Sequence, residues 1–247
     1  MKRQFVKTSN LRLFLAGLDI LERRAAPEAS IMVVTSEPGF GKTRTLQWYS
    51  TQNAEALYIR AKSGYTRHWF LVELIKELRG IPGRSEEMFR DAIKRMQGRP
   101  YVLIVDEVEH LLADTRVLEV LRDISDLLET PVVLVGMEQA QAKIARHPQI
   151  SSRVAHVVQF QPASLEDIEL TAKTLLDDIT LSPDLLAEIQ RQTKGRMREI
   201  MNALATCESI AKQRKVKTLS LSDLEGQQLT YDWQSRRPRI MPSAVKP

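Results

Sequence analysis

The chain has 247 residues, 43% of them apolar and 27% charged, with a formal charge of +5 and one cysteine. That length supports one α/β domain with a smaller appendage around a sizeable core, and no apolar run reaches the roughly 20 residues that span a bilayer. A lone Cys207 excludes an internal disulfide and offers no metal-site pattern, and the absence of a signal-like apolar stretch after Met1-Lys2-Arg3 predicts a cytoplasmic protein.

Residues 9–24 carry Leu11, Phe14, Leu15, Leu18 and Leu21 at helical spacing, with Ser9 or Asn10 placed to cap the helix. The apolar run Ile31–Thr35 predicts a first strand, and Ser36-Glu37-Pro38-Gly39-Phe40-Gly41-Lys42-Thr43 follows it directly. A strand running into a glycine-rich turn and then a helix, here from 43 to about 50, lines up backbone N–H groups at the positive end of a helix dipole. Gly39 and Gly41 let the backbone wrap an anion closely. Lys42 can reach the β- and γ-phosphates of a nucleotide, and Thr43 can offer its hydroxyl to Mg²⁺. The pattern normally opens on glycine; Ser36 stands there and is small enough to serve.

Ala56–Ile59 predicts the second strand. The segment after it, Arg60-Ala61-Lys62-Ser63-Gly64-Tyr65-Thr66-Arg67-His68-Trp69, mixes basic, hydroxyl and aromatic residues as phosphate contact requires. Arg60, Lys62, Thr66 and Arg67 are its candidate DNA contacts, with Trp69 expected in the core. A blander reading stays open, in which Thr66 caps the next helix. Helices are expected at about 67–79 and 85–97, divided by Gly80-Ile81-Pro82-Gly83. Tyr101–Val105 reads as a strand buried on both faces, ending in Asp106-Glu107. At such a strand end one carboxylate holds Mg²⁺ and the next polarises the attacking water, the alternative being that Asp106 only starts a helix.

A helix at about 115–129 and strands at Pro131–Val135 and Val154–Phe160 complete an alternation that predicts a parallel, doubly wound sheet with the glycine-rich loop on its carboxyl edge. After Leu134-Val135-Gly136, Met137 cannot orient a water; Glu138 could, although a carboxylate near the γ-phosphate would repel it, and this weakens the case for fast hydrolysis. Arg153, just before the last strand, is the first candidate for a guanidinium that reaches a neighbouring subunit's γ-phosphate, and Arg146 the second. Both read equally as surface arginines at helix ends.

Past residue 160 the texture becomes helical, at 164–178, 183–193 and 196–213, with Ser164 and Asp167 forming a helix start. Arg198, with Arg196 as the weaker alternative, opens a helix where it could read nucleotide phosphates or merely face solvent. The expected organisation is a nucleotide-binding domain at 1–160, a helical lid at 161–225 and a basic, flexible tail at 226–247. Residues 60–99 hold ten Lys/Arg against five Asp/Glu, whereas 164–190 hold seven acids against one lysine. Such segregation fits a nucleic-acid footprint and equally fits solvated helix ends.

In order and spacing, Ser36–Thr43, Val102–Glu107, Ser152-Arg153 and Gly195–Arg198 resemble the AAA+ ATPases. More narrowly, Phe5-Val6-Lys7-Thr8, Val33–Thr45, Leu103–Glu107 with His110-Leu111, and Val133–Gly136 resemble the phage transposition B proteins within that family, with the TnsC-type transposition regulators close in design. The likeness runs over residues 4–225. It implies an α/β fold, a P-loop AAA+ parallel sheet sandwiched by helices, followed by a small all-helical lid. It implies ATP and Mg²⁺ as cofactors, with Ser36, Gly39, Phe40, Gly41, Lys42, Thr43, Arg44, Asp106 and Arg198 around the nucleotide and Thr43 and Asp106 on the metal. Lys42, Glu107 and Arg153 would serve catalysis, Glu107 by activating water and Arg153 in trans. Phe5 would lie beside the adenine, and Arg60–Arg67 would face the bore of a filament. The implied partners are double-stranded DNA bound largely without sequence preference, copies of the chain in an ATP-dependent helical filament, and a transposase; no membrane is implied. Two other functions stay open. One is a different DNA-associated ATPase such as a helicase loader. The other is an ATP-gated interaction module with negligible hydrolysis, because Met137 stands where related ATPases carry a polar residue.

Overall fold

The computed structural model describes residues 1–112, 114–232 and 237–241. The chain divides into two compact units. One holds Leu13–Glu37 and Lys42–Phe160; the other holds Met1–Arg12, Pro38–Gly41 and the chain from Gln161 onward. Helix α1 (Ser9–Glu22) begins in the second and continues in the first.

The first unit is built on five strands: β1 (Ile31–Thr35), β2 (Ala56–Arg60), β3 (Val102–Asp106), β4 (Val132–Gly136) and β5 (Val154–Gln159). They pair in parallel in the order β2-β3-β4-β1-β5. β1, β3 and β4 are buried at every position, which is why they read as unbroken Val/Ile/Leu runs. The edge strands β2 and β5 alternate instead. Helices α2 (Lys42–Gln52), α3 (Arg67–Glu77), α4 (Ser85–Met96), α5 (Arg116–Leu128), α6 (Glu138–Ile144) and α7 (Pro148–Ser151) connect the strands. Ile31, Val33, Leu103, Val105 and Leu134 pack with Phe70, Leu71 and Leu74 of α3 and Leu118, Leu121 and Ile124 of α5 in one buried cluster. The alternate β1 residues turn to the other face. There α1 approaches so closely that a β-carbon on Gly17 would lie 2.7 Å from the Met32 sulfur.

The second unit packs α8 (Leu165–Leu175), α9 (Pro183–Thr193) and α10 (Met197–Arg214) around Ile168, Leu185, Ile189, Ile200, Leu204 and Cys207. Burial pushes the Cys207 thiol up to about 12, so it is an inert core group. To this helical core the structure adds a short parallel pair, β6 (Thr180–Leu181) with β7 (Thr218–Leu219), and an antiparallel pair, β8 (Gln228–Asp232) with β9 (Arg237–Ile240). Among the described residues no helix is long and apolar enough to cross a membrane.

The expected flexible tail at 226–247 needs correction as far as residue 241. Leu229 and Met241 are buried in the helical unit's core, and the segment between them holds the β8–β9 pair. Two apolar anchors suffice where composition showed mainly charge and proline. Arg236, Lys246 and everything past Met241 lie outside the described residues. Strand ends also shift: β3 and β4 each start one residue later than expected, which draws Asp106 and Gly136 into the sheet.

Candidate nucleotide site

β1, between β4 and β5, delivers the chain to the sheet's carboxyl edge, and residues 36–41 turn it into α2. Gly39 and Gly41 adopt φ of +96° and +91°, the left-handed region that glycine enters without steric cost. Ser36 is fully buried. Its hydroxyl donates to the Glu37 carbonyl at 2.7 Å and accepts from Lys42 Nζ at 2.6 Å. Lys42 Nζ also donates to the carbonyls of Ser36 (2.9 Å) and Glu37 (3.4 Å), so the ammonium is folded onto the loop's own oxygens. Burial lowers the Lys42 pKa, while the carboxylates of Glu109, Asp106 and Glu138 act against that shift.

The crest of the loop is braced by a residue the sequence suggested only as a helix cap. Buried Asn10 donates from Nδ2 to the carbonyls of Phe40 (3.2 Å) and Gln161 (2.9 Å), and its Oδ1 accepts from the Gln161 amide (2.9 Å). A β-carbon on Gly39 would lie 3.6 Å from Cβ of Arg196. It is therefore Arg196 whose side chain flanks the crest. Arg198 is exposed and makes no side-chain hydrogen bond among the described residues, and Arg44 is exposed on the first turn of α2. Phe5 is half-buried.

At the end of β3, Asp106 is buried and fully engaged. Its Oδ2 accepts from the Thr43 hydroxyl (2.8 Å) and the Tyr58 phenol (2.9 Å), and its Oδ1 from the Glu107 amide (2.9 Å). Sequence reasoning missed Tyr58. It stands on β2, and only the β2–β3 pairing, Arg60 opposite Asp106, brings it to the site. Burial first, and then the Asp106 carboxylate, push the phenol's pKa up. Glu107 holds a left-handed backbone, φ 58° and ψ 43°, a conformation that costs a non-glycine residue about 1 kcal/mol or more. Its carboxylate pairs with Arg60 at 2.5 Å, and His110 Nε2 stands 3.8 Å away.

The structure thus gathers Ser36, Lys42, Thr43 and Asp106, with Glu107 adjacent. It leaves Arg153 elsewhere. Arg153 makes two hydrogen bonds of 2.7 Å to Asp126 and a third to the Gln149 carbonyl, and its own carbonyl accepts from Ile31 at the start of β1. That is the opposite end of β1 from the loop. Arg146 is exposed with no side-chain partner among the described residues.

In the basic segment, Thr66 caps α3, accepting from the Trp69 amide at 3.2 Å. Trp69, expected in the core, is instead 39% exposed: it sits in the first turn of α3, facing outward, and its indole N–H donates to Glu73 at 3.0 Å. Lys62 also pairs with Glu73 (2.7 Å) and lies 5.3 Å from the Trp69 ring centre. Arg67 is exposed and unpaired among the described residues.

Among the described residues no three His, Cys, Asp or Glu side chains cluster as a self-sufficient metal cage. The Thr43 hydroxyl and Asp106 carboxylate are two hard oxygens already within hydrogen-bond reach of each other. Such a pair fits Mg²⁺ that takes its remaining ligands from water and phosphate.

Residues 25–144 match the family model of the AAA domain. The chain is 26% identical over 210 residues to the ATP-dependent target DNA activator B of Escherichia phage D108, and 26% identical to that of Escherichia phage Mu. Each match covers 81% of this chain, and the chain spans only 65% of the length of those activators. Among solved structures, Cdc6p from Pyrobaculum aerophilum is similar with a TM-score of 0.66 at 19% identity, covering 91% of this chain and 68% of that one. The Aeropyrum pernix ORC1 protein in complex with DNA gives 0.58 at 18%, covering 85% and 61%. Domain III of the Thermotoga maritima replication initiation protein DnaA gives 0.54 at 17%, covering 85% and 88%. At these identities the likeness is one of fold.

Proposed function

We propose that this chain, an AAA+ protein through the domain at 25–144 and the parallel sheet that carries it, is an ATP-dependent DNA-binding ATPase that assembles on target DNA, in a helical filament, and there recruits and stimulates a transposase. The observation that carries the nucleotide half is the Thr43–Asp106 hydrogen bond, which joins the helix start after the glycine loop to the acid at the end of β3. The DNA and transposition half is supported by the likeness to the target DNA activators and by the basic segment at 60–67.

In this reading the loop amides and Lys42 hold the triphosphate, Lys42 exchanging the carbonyls of Ser36 and Glu37 for phosphate oxygens. Thr43 and Asp106 would hold Mg²⁺, which would offset the charge on the β- and γ-phosphates. Glu107 takes a proton from water as the water oxygen bonds to the γ-phosphorus. The bond from that phosphorus to the bridging oxygen breaks, and ADP leaves with the electron pair. Arg153 or Arg146 acts on a neighbouring subunit's nucleotide. Arg146 is the freer of the two, because Arg153 would first have to release Asp126.

The Arg60–Glu107 pair favours a second reading, an ATP-gated module with negligible hydrolysis, because it ties one oxygen of the proposed base to a guanidinium. One set of measurements separates the two. Gel shifts with duplex DNA are expected to show ATP-dependent binding by the native chain and none by Lys42→Ala. Phosphate release with DNA is expected from the native chain and not from Glu107→Gln. Full ATP-stimulated binding by Lys42→Ala overturns the nucleotide site. Equal phosphate release by Glu107→Gln and the native chain removes Glu107 as the base. Negative-stain images with ATP and DNA test the filament directly.

A further inference from the structure

The carboxyl end of β4 carries no polar side chain. Gly136 closes the strand, and Met137, 47% exposed, follows. Glu109 fills that place from another element, the short turn Val108–His110 after β3. Its Oε2 is shielded from solvent and has no hydrogen-bond partner among the described residues. It lies where a β-carbon on Gly136 would come within 2.5 Å, and the same carbon would meet Val108 Cγ1 and Ala140 Cβ at 2.9 Å. The carboxylate therefore occupies a slot that only glycine leaves open. A buried carboxylate oxygen without a donor is costly, and such orphans point to a partner that the chain itself does not supply. Of the carboxylates acting on the Lys42 ammonium, Glu109 acts most strongly, ahead of Asp106 and Glu138. Glu138, the other acid after β4, is already engaged by Gln159 Nε2 at 2.9 Å.

We propose that Glu109 is the positioning residue for the attacking water: when nucleotide binds, its carboxylate shifts enough to open the shielded Oε2, which accepts a hydrogen bond from that water in the place a polar side chain after β4 would serve. The assignment rests on the hydrolysis proposed above. The water gives one proton to Glu107 and keeps the other, which ends on the product phosphate. Glu109 takes no proton; it orients the oxygen lone pair toward phosphorus. The Lys42 ammonium offsets the charge that a second acid brings near the nucleotide. Methionine 137 then ceases to be a defect, because the orienting group comes from the β3 side.

The test uses the full chain with duplex DNA, measuring steady-state phosphate release, binding of a fluorescent ATP analogue with Mg²⁺, and melting temperature. Glu109→Met keeps the side chain's length and removes both acceptor oxygens. It is expected to lower kcat by about tenfold or more, the scale of a misplaced reactant, with nucleotide affinity within about twofold of native. Glu109→Gln retains one acceptor oxygen and is expected to recover part of the lost rate. Gly136→Ala is expected to behave as Glu109→Met, since its methyl displaces the carboxylate; if it does not fold, the two Glu109 variants carry the test. A kcat for Glu109→Met within about twofold of native overturns the proposal, as does a parallel fall in affinity and kcat, which marks a support for the loop. A native chain that binds ATP and releases no phosphate overturns the hydrolysis reading and this assignment with it. A native chain that hydrolyses while Glu109→Met is indifferent overturns this assignment alone.

Discussion

Asp106 shows how much one buried carboxylate asks of its neighbours. Three donors converge on it, from Thr43, Tyr58 and the Glu107 amide. Removing the phenol leaves a buried charge short of a donor, and hydrogen bonds to charged groups contribute about 1.5–3 kcal/mol. Tyr58→Phe is therefore expected to lower stability by about 1–2 kcal/mol in urea unfolding, because Thr43 remains on the same oxygen. Unchanged stability would show that the phenol adds nothing to Asp106. Arg60 acts on the next residue. Its pair with Glu107 is half-exposed, and pairs of that kind contribute about 0.2–1 kcal/mol, weak enough for a phosphodiester to displace. Arg60→Ala is accordingly expected to raise phosphate release without DNA and to shrink the stimulation by DNA. A basal rate that stays the same or falls would make Arg60 a support for Glu107.

At the scale of elements, the helical unit depends on a junction between two helix starts. Asp167 accepts from the Ser164 amide at 3.2 Å in the capping box of α8, and from the amide (2.8 Å) and hydroxyl (2.5 Å) of Ser9 at the start of α1. Asp167→Ala leaves the two amides and the hydroxyl without their acceptor and is expected to cost about 3 kcal/mol, read as a lower urea midpoint at unchanged slope. Half of this junction was legible: Ser164 with an acid three residues on is a local signal. The Ser9 half was not, because it spans 158 positions of sequence. The same division holds across the fold. β1, β3 and β4 are legible because burial on both faces writes itself as an apolar run. Tyr58, Glu109 and the Arg60–Glu107 pair are not, because strand register and turn geometry bring them to the site. Trp69 misled because an aromatic residue at helical spacing reads as core, whereas its place in the first turn of α3 leaves it 39% exposed.

At the scale of the whole molecule, the net charge of +5 is too small to decide what the protein binds, and what matters is which cations are free to neutralise a phosphate. Arg60 is answered by Glu107 and Lys62 by Glu73, whose carboxylate also accepts from Tyr65 and Trp69. Among the described residues Arg67 stands without a partner in the first turn of α3, a turn that contains no acid. If this segment meets DNA, the three cations should not count equally. A free cation releases a full condensed counterion, whereas one whose acid stays beside it brings little net charge to the backbone. Arg67→Ala is therefore expected to weaken binding to all duplex sequences alike and to reduce the slope of log K against log salt by about 0.9. Lys62→Ala is expected to reduce the slope by less than that. The check is a salt titration of fluorescence anisotropy with ATP present and two unrelated duplexes. Equal slopes for native and Arg67→Ala would move the DNA surface off α3. A larger drop for Lys62→Ala than for Arg67→Ala would mean that Glu73 lets go of Lys62 on binding, so that the Lys62–Trp69 contact opens with it and Trp69 fluorescence changes at the same DNA concentration.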